Sequence, residues 1–175
     1  MLSVLRIAVV VGLAAGCREY DGGRLKPLAI GSPAPVFDVR TLAGDSARVA
    51  PGAPLTLVNL WATWCIPCRE EFGDLSRLHA EYARRGFRIL AVSVDQGGDG
   101  DVRSFAQEHH VAFTIGRDPD GDIQRAFLAV GLPMSYLIGK DGRLLWKSIG
   151  ALPPGAGPLR AIIDSALAAD SSTRR

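Results

Sequence analysis

The sequence predicts an α/β domain in which a central sheet carries helices on both faces. Apolar runs of strand length alternate with segments of helical periodicity, and the alternation finishes in a hairpin signal followed by an amphipathic helix. The run Leu55–Trp61 is rich in apolar residues and has the length of a central strand. Because the sequence shows no internal repeat, these observations indicate a single domain.

The composition is that of an ordinary globular protein. The chain has 175 residues, 47% of them apolar, with 20 Lys and Arg against 18 Asp and Glu. Such a length fits one domain, and the apolar fraction and low net charge exclude a disordered chain. The basic residues are interspersed with acids, so no nucleic-acid partner is expected. Three cysteines are too few for a disulfide scaffold. Function must therefore reside in a few placed residues.

The N-terminus resembles a targeting signal. Arg6 precedes the uncharged run Ile7–Gly16, which is too short to cross a bilayer as a helix and is typical of a secretory signal. The small-small-Cys ending resembles the lipobox of bacterial lipoproteins, which are cut before the cysteine and lipidated on it. This resemblance implies a signal peptide over residues 1–16 and lipidation of Cys17. A plain signal segment, cleaved or uncleaved, is the alternative, because Ala14 stands where that family prefers Leu.

The rest of the chain divides into a tether, a domain and a tail. Residues 17–27 have no apolar periodicity and are predicted to tether the domain to a membrane surface, outside the cytoplasm, through the lipid. The folded domain is predicted over residues 28–170. Residues 171–175 are predicted to be a disordered tail.

The elements follow one another in a regular order. The first half of the domain predicts an extended segment and hairpin over Ile30–Val49, the strand Leu55–Trp61, a helix from Cys65 to Gly86, and the strand Phe87–Val94. The second half predicts a helix behind Asp101, a short strand at Ala112–Ile115, a short helix at Ile123–Ala129, strands at Ser135–Ile138 and Arg143–Ile149, and a last helix opened by Pro158.

The motif Trp64-Cys65-Ile66-Pro67-Cys68 carries the chemistry. It follows a buried strand and opens a helix, so its two cysteines lie at i and i+3 in a first turn, where they can close a disulfide. Unpaired N–H groups and partial positive charge at a helix N-terminus stabilise a thiolate, which makes a thiol nucleophilic at neutral pH. We expect Cys65 to attack a substrate disulfide and Cys68 to resolve the mixed disulfide.

A zinc site and a structural disulfide are two alternative interpretations of the cysteines, and both are weaker than a redox-active pair. Zinc takes four ligands and the chain has no second cysteine pair, so we expect no metal and no other cofactor. A structural bridge across two intervening residues closes so small a loop that it would stabilise little.

The segment Leu57–Phe72 resembles the thioredoxin-like reductases of the TlpA/ResA group, and the similarity extends over about Ile30–Leu167. The resemblance implies a thioredoxin-like fold with a mixed central sheet, helices on both faces and an N-terminal hairpin extension. It also implies a protein-disulfide reductase outside the cytoplasmic membrane, with disulfide-containing proteins, including apocytochrome c, as substrates. A reductant in an oxidising compartment must be recharged, so a membrane electron donor is expected as a partner; the enzyme itself is expected to be a monomer.

The resemblance extends to single positions. Gly131-Leu132-Pro133 stands where such folds carry a cis-proline loop, which makes Leu132, Pro133 and Trp64 the predicted substrate-binding residues; a trans turn is the alternative. Asn59 stands where thioredoxin has a buried Asp, so Glu71, one helical turn beyond Cys68, is the candidate base. Its alternative is a solvated surface acid.

Other residues receive structural interpretations. Trp61 and Met134 are predicted to join Trp64 on an apolar surface around Cys65. Asp95 follows a predicted strand, at the carboxyl edge of the sheet where the sites of α/β proteins lie, and is predicted to border a groove there without a catalytic role. His79, His109 and His110 are interpreted as packing or surface residues, and Gly73 stands where relatives often have a helix-kinking Pro.

A peroxidase and a copper chaperone are the two alternative functions. A peroxiredoxin-like peroxidase needs a P-x-x-x-T-x-x-C site, and the corresponding residues here are Val58 and Ala62. A copper chaperone on the same fold uses three residues between its cysteines and a distal His, whereas this motif has two residues between its cysteines.

The residues between the cysteines bear on the direction of the reaction. Ile66 and Pro67 carry no charge that would stabilise a thiolate, which favours a reductant or weak oxidant.

Overall fold

The computed structural model describes residues 28–173. Its elements in chain order are β1 (Phe37–Arg40), β2 (Ser46–Val49), β3 (Leu55–Trp61), α1 (Ile66–Tyr82), β4 (Phe87–Ser93), α2 (Gly100–Glu108), β5 (Thr114–Arg117), α3 (Asp122–Ala126), β6 (Met134–Ile138), β7 (Leu144–Ile149) and α4 (Gly157–Thr173). The predicted signal peptide over residues 1–16, the predicted lipidation site Cys17 and the predicted tether over residues 17–27 lie outside the described residues.

A mixed sheet of five strands forms the centre of the domain, in the order β5-β4-β3-β6-β7. The strands β3, β4 and β5 are parallel, whereas β6 runs antiparallel to both β3 and β7. The hairpin β1-β2 forms a separate two-stranded sheet. The predicted fold class, including the mixed sheet and the N-terminal hairpin, is confirmed.

Both faces of the sheet are covered. Every residue of β3 is buried, and its side chains alternate between two hydrophobic clusters, as the pleat of a strand requires. Leu57 and Trp61 pack in the cluster that contains residues of α1, α2 and α4, whereas Val58 and Leu60 pack towards α3 and the hairpin. The central strand therefore ends, at Trp61, between two helical layers and delivers the chain to the start of α1.

Trp61 belongs to the core and does not line the surface around Cys65. It is fully buried, and its ring centroid lies 4.5 Å from that of Phe72 and 4.9 Å from that of Phe105. Met134 is also buried, in the cluster on the opposite face of the sheet. The prediction that Trp61 and Met134 line the apolar surface around Cys65 is therefore wrong, because both side chains are buried in the core.

The helix α1 runs without interruption from Ile66 to Tyr82. Gly73 is exposed and does not break it. A short 3₁₀ turn follows, and Gly86 closes it with a φ of 92°, a left-handed conformation that favours glycine. The α-helix therefore ends at Tyr82, earlier than predicted, and Gly86 ends the 3₁₀ turn that follows it.

Several boundaries differ from those predicted. The strand β5 covers Thr114–Arg117, later than the predicted Ala112–Ile115, and it includes a buried arginine whose charge is paired with Asp99. The helix α4 continues to Thr173, which places three residues of the predicted tail in its last turn, where helix ends are hardest to predict.

Among residues 28–173, no helix has the length and apolar character needed to span a membrane.

Candidate active site

A disulfide joins Cys65 and Cys68 at the start of α1. Cys65 is the N-cap residue of the helix, and the backbone N–H of Cys68 donates to its Sγ at 3.3 Å. Cys65 is 6% exposed and Cys68 is completely buried, so Cys65 is the cysteine that solvent and substrate can reach. Pro67 occupies the first turn, where no backbone N–H is needed for the helix.

Cys65 opens into a cleft of about 1130 Å³. Trp64, Ile66 and Leu132 line it, which brings the chain around the disulfide together with the loop before β6. Trp64 and Ile66 are 68% and 69% exposed, so two large apolar side chains lie at the surface on either side of Cys65 in the sequence.

The loop before β6 contains the proline that the sequence singles out. The Leu132–Pro133 peptide bond is cis, as predicted. Pro133 itself is buried, and its carbonyl oxygen accepts a hydrogen bond of 2.9 Å from the backbone N–H of Gly150. Leu132 is half-buried and is the residue of this pair that lines the cleft.

Glu71 lies buried beneath the disulfide, one helical turn beyond Cys68. Its Oε1 accepts a hydrogen bond of 2.8 Å from Asn59 Nδ2, and its Oε2 accepts one of 2.9 Å from the backbone N–H of Leu152. Burial raises the pKa of Glu71 from 4.5 to about 7, against the opposing effect of these two hydrogen bonds. Glu71 is therefore no solvated surface acid, whereas Glu70 beside it is exposed.

Asn59 connects Glu71 to the neighbouring strand. Its Nδ2 also donates to Ser135 Oγ at 3.0 Å, since Asn59 and Ser135 face each other across β3 and β6. Within residues 28–173, the buried Asn59 Oδ1 has no hydrogen-bond partner. Ser135 is not among the residues predicted from the sequence, although its position two residues after Pro133 is a usable signal. Leu152 contributes only its backbone N–H, which no side-chain pattern reveals.

Asp95 makes more contacts than its predicted place at the cleft border suggests. Its carboxylate accepts hydrogen bonds from Thr63 and Ser93. Ser93 also accepts one from Arg117, whose side chain is 1% exposed. The sequence does not predict this polar group, because Ser93 and Arg117 lie inside strands, where neither residue type signals a site.

His79 lies on α1, and His109 and His110 follow α2. The ring of His109 packs against Phe105 with centroids 4.1 Å apart, and both His109 and His110 are exposed. His79 is half-buried on α1 beside Phe113. In the part of the chain that the structure describes, no three His, Cys, Asp or Glu side chains are grouped so that they could hold a metal ion.

Comparisons with known proteins match most of the domain. The model of the AhpC/TSA family matches residues 30–147. The thiol-disulfide oxidoreductase ResA of Bacillus cereus is 30% identical over 147 residues, which are 82% of this chain and 84% of that protein. The thiol:disulfide interchange protein CycY of Rhizobium leguminosarum is 37% identical over 97 residues, 55% of this chain and 50% of its own. A crystal structure of a proposed thiol:disulfide interchange protein DsbE from Chlorobium tepidum covers 80% of this chain and 99% of its own, with a TM-score of 0.73 and 31% identity.

Proposed function

We propose that this chain, which belongs to the AhpC/TSA family and is a thiol-disulfide oxidoreductase, works as an extracytoplasmic reductase of protein disulfides through Cys65 and Cys68. The observation that carries the proposal is the disulfide at the N-terminus of α1, with Cys65 opening into a cleft and Glu71 buried beneath Cys68. Cys65, Cys68 and Glu71 each have a role in the proposed reaction.

The first step is the attack of Cys65 on the substrate. In the reduced enzyme, the Cys65 thiolate attacks one sulfur of a substrate disulfide, so that a bond forms between enzyme and substrate and the other substrate sulfur leaves as a thiolate. The N-terminus of α1 supports the thiolate electrostatically, and the Cys68 N–H already points at Cys65 Sγ. The greater exposure of Cys65 makes it the attacking residue.

The second step is resolution by Cys68. The Cys68 thiol must lose its proton before its sulfur attacks Cys65 Sγ, which closes the enzyme disulfide and releases the second substrate sulfur as a thiolate. Glu71 is buried on the same helix face and has a pKa of about 7, so its carboxylate is a suitable acceptor for that proton near neutral pH. After this step the enzyme has given two electrons to the substrate and carries the Cys65–Cys68 disulfide.

The walls of the cleft fit a polypeptide substrate. Trp64 and Leu132 present apolar surface on either side of Cys65, and Pro133 holds the loop that carries Leu132. An extended segment of a protein that contains a disulfide can lie across this surface, whereas a compact native surface cannot follow it. Unfolded secreted proteins, with apocytochrome c as one example, are therefore the proposed substrates.

The proposed direction is reduction. The two residues between the cysteines carry no charge that would stabilise the Cys65 thiolate beyond the helix terminus. The proposed location outside the cytoplasm rests on the predicted signal peptide over residues 1–16, the predicted lipidation of Cys17 and the predicted tether over residues 17–27. Dithiols presented by a membrane partner would return the two electrons to the enzyme. We propose that the enzyme is a monomer and that its domain, predicted over residues 28–170, includes the rest of α4.

The reduction of insulin in the presence of dithiothreitol tests the proposal. The wild-type protein should precipitate the insulin B chain, and Cys65→Ser should abolish that activity. Cys68→Ser should instead accumulate a mixed disulfide between Cys65 and the substrate, visible by non-reducing electrophoresis. An active Cys65→Ser variant, or a mixed disulfide formed through Cys68, would contradict the assignment of roles.

A further inference from the structure

We propose that Asp95 is a positioning residue for Cys65, and that the buried Arg117 fixes Asp95 in turn through Ser93. The inference rests on the proposed function, since it assigns Asp95 a role through the attacking cysteine. It concerns three residues that lie on β4, directly after β4 and on β5, outside the motif that carries the cysteines.

The carboxylate of Asp95 holds the chain immediately before the nucleophile. The backbone N–H of Thr63 donates to both oxygens, at 3.1 and 3.0 Å, and Thr63 Oγ1 donates to Oδ1 at 2.6 Å. Thr63 lies two residues before Cys65, in the short link between β3 and α1. Because neither element supplies an acceptor for the Thr63 N–H, Asp95 determines where this link runs and hence where Cys65 begins the helix.

Ser93 and Arg117 determine the orientation of Asp95. Ser93 Oγ donates to Asp95 Oδ2 at 2.7 Å and accepts from Arg117 Nη1 at 2.6 Å. Arg117 Nη2 donates to the carbonyl oxygens of Gly97 and Gly98, at 3.1 and 3.2 Å. The guanidinium is therefore bonded on several sides within a nearly closed site, and a rigid supporting shell of this kind is what precise placement of a nucleophile needs.

The same carboxylate faces the cleft into which Cys65 opens. Asp95 and Asp101 line this cleft with Cys65. Arg69 and Glu108 line the adjoining pocket, which shares Thr63, Trp64 and Asp101 with the cleft. Glu71 is buried on α1, one helical turn beyond Cys68. A carboxylate in the cleft disfavours the Cys65 thiolate and so opposes the N-terminus of α1. Asp95 thus places the sulfur while it makes the reduced state less stable, which keeps the couple reducing.

Asp95→Asn in the full chain separates these effects from a merely structural role. We expect the pKa of the Cys65 thiol to fall, as measured by the pH dependence of iodoacetamide labelling of the Cys65 peptide by mass spectrometry. The equilibrium with dithiothreitol should shift towards the reduced enzyme by about tenfold, or ~30 mV. The rate of insulin reduction should fall on the order of tenfold. Asp101→Asn is the matched control, since Asp101 lines the same cleft but is exposed, so solvent screens its charge and the variant should leave all three values within about twofold.

Thr63→Val provides a second variant that keeps every charge. Without the Oγ1 donor, insulin reduction should slow in the same direction as in Asp95→Asn, with no change in the labelling pKa. The inference is overturned if Asp95→Asn matches wild type in rate and equilibrium, if Asp101→Asn shifts them equally, or if Thr63→Val is as fast as wild type. Failure of the proposed function looks different, because the wild-type protein would then not reduce insulin at all, or Cys65→Ser would remain active.

Discussion

The carboxylate of Glu71 accepts a hydrogen bond of 2.8 Å from the amide of Asn59, in a buried site beneath Cys68. The contact joins the first turns of α1 to the middle of the central strand. The two donors that face the carboxylate favour its charged form, but burial disfavours that form more strongly, and the balance leaves Glu71 with a pKa of about 7. A group so placed changes its charge near neutral pH.

The buried acid makes stability depend on pH. The folded protein holds the Glu71 proton up to a pH of about 7, whereas the unfolded chain releases it near 4.5, so the free energy of unfolding falls as pH rises between these values. The loss amounts to about 3 kcal/mol and is complete above pH 7. Glu71→Gln should remove this slope in urea denaturation of the oxidised protein at pH 5 and pH 8. Glu70→Gln, an exposed neighbour, should keep it, and equal slopes in both variants would contradict the assignment.

Asn59→Asp should move the acid-base chemistry to higher pH. The substitution places a second carboxyl group against Glu71, and two buried carboxylates in contact resist simultaneous ionisation, so the shared pKa rises. The pH at which the rate of mixed-disulfide resolution reaches half its maximum should therefore increase, as followed by rapid acid quench. Ser135→Ala removes the other contact of Asn59 without adding charge and should leave the midpoint in place. A midpoint unchanged in Asn59→Asp would show that Glu71 does not set it.

The sequence predicts the parts of the site that depend on local chemistry. The cysteine pair, the helix that begins after Cys65 and the acid one turn beyond Cys68 follow from short-range spacing, and the cis bond before Pro133 follows from the family resemblance. The partners of these residues depend on tertiary packing instead. Leu152 donates from its backbone, which carries no residue-type signal. Arg117 is a strand residue whose charge is compensated only by groups distant in sequence, so no local pattern could assign it a buried position.

The exposed apolar surface beside Cys65 should determine how well a protein substrate binds. Trp64→Ala and Leu132→Ser each remove apolar contact with a polypeptide, and we expect kcat/KM for a protein disulfide to fall roughly tenfold, mainly through KM. The equilibrium with dithiothreitol should not change, because neither side chain carries charge. Val36→Ser is the control, since Val36 is exposed but does not line the cleft. An equal loss in Val36→Ser would show that the effect is not local to the cleft.

Arg117 should contribute more to stability than Arg40, although both pair with Asp99. The Arg117 side chain is 1% exposed and also bonds Ser93 and two backbone carbonyls, whereas that of Arg40 is 56% exposed. Removal of a buried partner leaves the groups around it unsatisfied, so Arg117→Met should lower the free energy of unfolding by about 3 kcal/mol. Arg40→Met removes a solvent-screened pair and should lower the free energy of unfolding far less than Arg117→Met does. Urea denaturation at pH 7 measures both values, and equal losses would mean that the burial of Arg117 adds nothing to its pairing with Asp99.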